Sequence, residues 1–352
     1  AKNTHHCDVR SLYPSIILKD RLSPRTDELG VFLKLLTYLR TLRLDTKARM
    51  QKCAPGEERH FLNAMQSTFK ILINSFYGYL GFSQARFSDF AMAEKVTAEG
   101  RSILKQMIDW LRQHDARPIE IDTDGIYFIP PDFADASGLD RFREAFQQSL
   151  PEGIEVEFDG EYRAMFSYKM KNYALLDEHG EIVIKGAALK SRGLEPFQRS
   201  FMEEWLRLKL EERDQEIAGL VRKYRSAIEN REWPIQRLAK TETLQDAPST
   251  YAGKISGGDR GRNAAYELAL KSGRDYRAGD MISYYVTGAR KSVAVHSSAK
   301  LVSQWDPANR DENVPYYLAK LDALVRKFDS MAAGDTDRNL TLDFGGDKNG
   351  ES

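Results

Sequence analysis

The sequence predicts an α+β chain, and three observations carry that prediction. The first is a β-hairpin at Ile119 to Pro131, where two short apolar runs flank Asp122-Thr123-Asp124-Gly125, Asp-Gly supplies the turn and Pro130-Pro131 stops the second arm. The second is a pair of amphipathic helical stretches, Leu29 to Met50 and Glu58 to about Leu80, separated by a break at Cys53 to Glu57 that contains Pro55-Gly56. The third is a strand-rich run from Phe158 to Ile184, broken by a turn at Glu178-His179-Gly180. A chain of 352 residues is long enough to divide into two or three subdomains with a substantial core.

Composition narrows the class. With 41% hydrophobic and 30% charged residues the chain is neither membrane-spanning nor disordered as a whole. No apolar run approaches the roughly 20 residues needed to cross a bilayer, so no membrane partner is expected. Lys and Arg number 52 against 52 Asp and Glu, so any nucleic-acid site must be a local patch rather than a global field. Cys7 and Cys53 sit in no paired ligand spacing, which argues against zinc and fits a reducing compartment, cytoplasmic or wherever the genome is held. The chain opens with Ala1 and reaches a motif almost at once, which suggests that a longer N-terminal segment is missing or lies on a separate chain.

From the N-terminus, His5 to Leu18 places Asp8 at the end of a short apolar strand, followed by a turn whose exposed backbone amides suit a metal-bound phosphate. An ordinary strand end followed by a core tyrosine is the alternative for Asp8 or Tyr13 taken singly. On the first long helix Leu29, Phe32, Leu36, Leu39 and Leu44 form an apolar side, and Arg43 and Lys47, four apart, share another face. Lys70 and Asn74 repeat that spacing on the returning helix, so four donors converge in a way that suits a triphosphate, with a solvated helix face as the plainer account. The glycines of Phe76-Tyr77-Gly78-Tyr79-Leu80-Gly81 allow close approach to the aromatics. A further helix from about Asp89 to His114 leads into the hairpin, whose acids repel unless a cation lies between them. Two unit charges about 4 Å apart cost about 4 kcal/mol at an effective dielectric of about 20. An Asp-Gly surface turn explains the hairpin equally well on its own. Arg199 to about Arg231 reads as one long helix with an apolar side at Phe201, Trp205, Leu208, Ile217, Leu220, Tyr224 and Ile228. From Pro234 the chain turns basic and Gly-containing, with Lys240, Lys254, Arg260, Arg262, Arg290 and Lys291 near turns, as suits phosphate contacts without sequence readout. After about Ser330 it becomes Gly- and Asp-rich, and disorder is expected.

Read together, Asp8-Val9-Arg10-Ser11-Leu12-Tyr13-Pro14-Ser15, Lys70-Ile71-Leu72-Ile73-Asn74-Ser75-Phe76-Tyr77-Gly78 and Asp122-Thr123-Asp124 resemble motifs A, B and C of family B DNA polymerases, in order and in spacing. Lys169-Met170-Lys171-Asn172-Tyr173 looks like the family's Lys-rich palm motif, and Ile184-Lys185-Gly186 resembles the strand after it. Ala278 to Tyr285 and Pro315-Tyr316-Tyr317 resemble parts of its thumb. Gly125 stands where the family more often has Ser, and Asn172 where Arg is common.

The resemblance implies a right-hand architecture: an antiparallel-sheet palm (1–28 with motif A, and 89–232 with the motif C hairpin), helical-hairpin fingers (29–88) and a mixed thumb (233–329), followed by a disordered tail (330–352). It implies template-directed addition of deoxynucleotides to a primer 3′-hydroxyl, without proofreading on this chain. Asp8, Asp122 and Asp124 would be catalytic. Two Mg²⁺ ions would be held by Asp8, Asp124 and the Val9 carbonyl, with Asp122 as an outer partner. Ser11, Leu12, Tyr13, Arg43, Lys47, Lys70 and Asn74 would bind the deoxynucleoside triphosphate, Tyr13 lying under the sugar. Tyr77, Gly78, Lys169, Lys171, Tyr173, Lys185, Arg192 and Lys240 would contact a primed DNA template. Asn339 to Phe344 is similar to the short peptides by which polymerases bind sliding clamps, with Asn where Gln is usual; a flexible tail with a few apolar residues is the other account. An idle polymerase-like module that binds primed DNA as a scaffold is the competing functional reading, although retention of Asp8, Asp122 and Asp124 speaks against it.

Overall fold

Strand alternation at the N-terminus decides where the first acid points. In the computed structural model, which describes residues 1–133, 135–186 and 193–333, β1 (Lys2–Val9) buries Cys7 and Val9 completely and leaves His6 and Asp8 half-buried on the opposite face. A short helix, α1 (Leu12–Lys19), then carries Leu12, Ile16 and Ile17 into the core. The helical hairpin follows as α2 (Val31–Lys52) and α3 (Glu57–Leu80), within about two residues of the limits expected from periodicity. Its predicted apolar side needs correction: Phe32 and Leu36 are buried, but Leu29 is 78% and Leu44 50% exposed. Near the hairpin's base Phe32 meets Phe76 and Phe87 at 4.9 and 5.7 Å, Leu62 is buried nearer its tip, and Leu29 lies before the first turn of α2.

Next comes α4 (Phe90–Gln113), capped by Asp89, whose carboxylate accepts from the Met92 amide. Its stripe of Val96, Ile103, Met107 and Leu111 forms the centre of the first core. The absence of a side chain at Gly100 lets α1 lie close: a Cβ there would stand 3.1 Å from the Tyr13 ring. The hairpin is β2 (Arg117–Ile121) and β3 (Gly125–Ile129), and β3 also pairs antiparallel with β1, Asp8 opposite Gly125. After α5 (Ala136–Gln148) the chain enters β4 (Val156–Lys169), and the sheet of this first compact unit, Ala1–Arg163, reads β2-β3-β1-β4.

The second unit begins at Ala164, within β4. Here β4 leads to β5 (Asn172–Asp177) and β6 (Ile182–Lys185), with Gly180 in the left-handed region at the expected turn. The single long helix expected from Arg199 to Arg231 is two: α6 (Pro196–Leu210) and α7 (Ile217–Glu229). Between them, Glu211 to Glu216 is six consecutive polar residues, too long a gap for one buried stripe, and the chain folds back so that Phe201 and Tyr224 meet at 5.2 Å. Then follow β7 (Lys240–Thr243), α8 (Pro248–Ser256), α9 (Ala264–Lys271), β8 (Met281–Val286), α10 (Val295–Ser298), β9 (Ala299–Leu301) and α11 (Val314–Ala333). The sheet β7-β8-β9 is antiparallel. One core gathers Phe197, Phe201, Trp205, Tyr224, Leu321 and Phe328, and a smaller one Tyr251, Tyr266 and Ile282. The final helix runs past Ser330 to Ala333, while Arg192 and the Asn339 to Phe344 peptide lie outside the described residues. No described helix is long and apolar enough to cross a membrane.

Candidate active site

Asp8 and Asp124 come together because β1 and β3 are paired neighbours. The Val9 amide donates to the Asp124 carbonyl at 2.7 Å, which ties the loop between β2 and β3 to the end of β1. Burial, and then the Asp124 charge, push the Asp8 carboxyl up to about 7. Two acids forced to share one place in this way form a donor pair that a divalent cation relieves, and the Val9 carbonyl is close by in the chain. Among the described residues no group of three or more His, Cys, Asp or Glu is gathered for a metal ion. Magnesium, with its preference for oxygen donors and for keeping water or substrate oxygens, fits such a pair. The Asp122 Oδ1 accepts from the Thr123 amide at 3.0 Å.

The turn itself differs from the expected Asp-Gly form. The Asp122 amide donates to the Gly125 carbonyl at 2.8 Å, and Gly125 is the buried first residue of β3, not a left-handed turn residue. Its lack of a side chain serves a different purpose. A Cβ would stand 2.6 Å from His6 Nε2 and 3.1 Å from the Cys7 carbonyl. His6 is held there by Asp159 (Nδ1 to Oδ1, 2.6 Å) and by stacking on Tyr127 at 4.1 Å. The His6 contact in turn keeps the Asp159 carboxyl below its usual range.

The paired acids open onto a cleft of about 300 Å³ whose far wall is the helical hairpin. Asp8 and Asp124 line it together with Ser11, Arg43, Lys47, Lys70 and Asn74. Arg43 donates to Ser11 Oγ at 3.2 Å, and its Nε is buried with no partner. Ser11 adopts a left-handed conformation (φ 50°) immediately before α1, which turns the chain so that the helix starts beside Asp8. Leu12 is buried in the core, and Tyr13 and Tyr77 pack together at 4.4 Å, with Gly78 exposed on the next position of α3. Burial raises the Tyr13 hydroxyl above its ordinary pKa, and Tyr77 and Asp124 add to the shift.

The residues expected to touch template and primer are more scattered. Lys171 is an exposed turn residue with φ 61°, and Lys185 is exposed on β6. Lys169 ends β4. Tyr173 is 2% exposed, so it belongs to the interior and offers no surface to a strand. Lys240 is half-buried and paired with Glu242 at 2.5 Å. Lys254 and Arg260 also pair with an acid, Asp246, so the basic region of the second unit is less free than its composition suggests.

Sequence reading missed several members of the cleft. Arg10 and Arg40 line it, as do Glu155 and Glu157. Two signals were available. Arg40 precedes Arg43 and Lys47 by three and seven residues, which is one helix face. Glu155, Glu157 and Asp159 alternate at the start of a strand, which is one sheet face.

A sequence profile of DNA polymerase family B matches residues 26–330. The matched span starts after β1 and α1, so Asp8 owes its place here to its pairing beside Asp124. DNA polymerase 1 of Pyrococcus abyssi is 30% identical over 337 residues, covering 88% of this chain and 43% of its own length. The DNA polymerase of Thermococcus sp. (strain 9oN-7) is 29% identical over 343 residues, covering 90% of this chain and again 43% of the relative. This chain therefore spans less than half the length of these relatives. Among solved structures, the family B DNA polymerase from the hyperthermophilic archaeon Pyrobaculum calidifontis superposes with a TM-score of 0.69 at 22% identity, over 93% of this chain and 45% of that one. That likeness speaks for the fold, and the profile match over most of the sequence carries the conclusion that this chain belongs to the family B DNA polymerases.

Proposed function

We propose that this chain is the polymerising part of a template-directed DNA polymerase, adding deoxynucleotides to a primer 3′-hydroxyl by two-metal phosphoryl transfer. The observation that carries the reading is a single cleft with a carboxylate pair on one wall and Arg43, Lys47, Lys70 and Asn74 on another. Asp8, Asp124 and the Val9 carbonyl would hold two Mg²⁺ ions, with Asp122 outside them. Bound there, the ions would activate the primer hydroxyl and neutralise charge on the leaving pyrophosphate.

The protein's own groups do the rest. Arg43 presents a planar fork to phosphate oxygens, Lys47 and Lys70 supply compact charge, and Asn74 stands one helical turn beyond Lys70. The amides of Ser11 to Tyr13, at the start of α1, face the same substrate from beneath. Tyr13, packed on Tyr77, forms the floor under the sugar, where a 2′-hydroxyl would clash. In this reading residues 1–28 and 89–232 are palm, 29–88 fingers and 233–329 thumb. Lys169, Lys171, Lys185 and Lys240 lie along the path of primed DNA.

Primer extension on a primed template, with magnesium and deoxynucleotides, tests the proposal. Extension by this chain and none by Asp124→Ala is the expected result. Binding of primed DNA by both with extension by neither would leave either an idle module or a need for an upstream palm segment, and adding that segment back would separate the two.

A further inference from the structure

Three of the five cations lining the cleft are already paired with carboxylates. Arg10 Nη1 lies 3.1 Å from Glu155 and its Nε 3.6 Å from Glu157; Arg40 lies 3.7 Å from Glu155, and Lys47 3.3 Å from Glu157. These pairs run between the start of β4 and α2, with Arg10 between them in the turn before α1. Among the described residues lining the cleft, five cations face four carboxylates, so their formal charges nearly balance. A polyphosphate entering it meets Arg10, Arg40 and Lys47 already paired.

We propose that Glu155 and Glu157 are resident counter-ions, holding Arg10, Arg40 and Lys47 in position until an incoming triphosphate displaces both carboxylates and takes over the cations. The proposal rests on reading the cleft as a triphosphate site, and adds to it two acids and two cations that set nucleotide affinity. Displacement is feasible because the glutamates need travel only into water: their side chains are 50% and 42% exposed, and the pairs are of the solvent-screened kind. Arg43 is arranged differently. It rests on the neutral Ser11 hydroxyl, so no carboxylate has to leave before it meets a phosphate oxygen.

Exchange has a measurable signature. With the carboxylates in place, binding trades one internal ion pair for another and releases few ions from solution. With the carboxylates neutralised, the cations draw anions from the buffer, and binding must expel them, so affinity falls more steeply with salt.

The test is calorimetric titration of the full chain with sodium tripolyphosphate in metal-free buffer over a range of sodium chloride, comparing parent, Glu155→Gln, Glu157→Gln and the double variant. Glutamine keeps the shape of each side chain, and thermal melts check that every variant is folded. The expected result is tighter binding by the double variant, roughly two- to thirty-fold if each of two exposed pairs is released, intermediate gains in the singles, and a steeper salt dependence. Binding by the parent that is unchanged or weaker in the folded double variant overturns the exchange while leaving the triphosphate site standing. No binding by parent or variant removes the triphosphate site, and the exchange falls with it.

Discussion

Asp8 is the penultimate residue of β1, its carboxyl half-buried beside Asp124, and its raised pKa of about 7 has a direct consequence for stability. A carboxyl whose folded value lies above its unfolded value of 3.8 holds its proton more tightly when folded. Its contribution is therefore fullest at low pH and is lost as pH rises through that window to about 7. Asp8→Asn should raise the melting temperature of the metal-free protein at pH 8 more than at pH 5, measured by calorimetry with a chelator present. Magnesium should then stabilise the parent and not the variant. Tyr13 gives a second prediction at this scale. Its ring is wedged between Tyr77 and the bare backbone of Gly100. Tyr13→Ala should lower discrimination against ribonucleotides by roughly tenfold or more, the scale of one steric contact, in a comparison of deoxy- and ribonucleotide incorporation.

The strand pair β1 and β3 shows how an element can depend on a missing side chain. Gly125→Ser puts a Cβ within 2.6 Å of His6 Nε2 and 3.1 Å of a backbone carbonyl. The imidazole must swing away, giving up Asp159 and Tyr127, and overpacking of this kind costs about 1–3 kcal/mol. Chemical denaturation should report that loss for Gly125→Ser and a smaller one when His6→Ala is added, since the smaller residue makes room. The sequence marks Gly125 as a turn residue and a departure from its family; the constraint behind it comes from a residue about 120 positions earlier. By contrast α2, α3 and α4 were legible almost to their ends, because Pro55-Gly56 and the Asp89 cap are local signals that act on the backbone within one turn.

At the scale of the whole molecule, each compact unit carries its own buried core. Trp205 is buried in the second, stacked on Phe328 at 4.5 Å. Trp205→Ala should cost about 3–5 kcal/mol, and hydrogen exchange should show the loss at amides of Phe197 to Leu206 well before those of Ile103 to Leu111. The cleft is a whole-unit property in the same sense, since β1, the turn before α1, the two long helices, the hairpin loop and the start of β4 each contribute a wall. Apolar periodicity, turn residues and the order of three acidic and basic motifs determined the α+β class, the helical hairpin, the family resemblance and the pairing of Asp8 with Asp124 as an expectation. Those are patterns of short range or of fixed order, and a linear chain displays them directly. The break between α6 and α7, the exposure of Leu29 and Leu44, the burial of Tyr173 and the pairing of Arg10, Arg40 and Lys47 with Glu155 and Glu157 were decided only by tertiary structure. Burial and ion pairing depend on what lies across the gap, and the residues across it are a hundred or more positions away in the cleft.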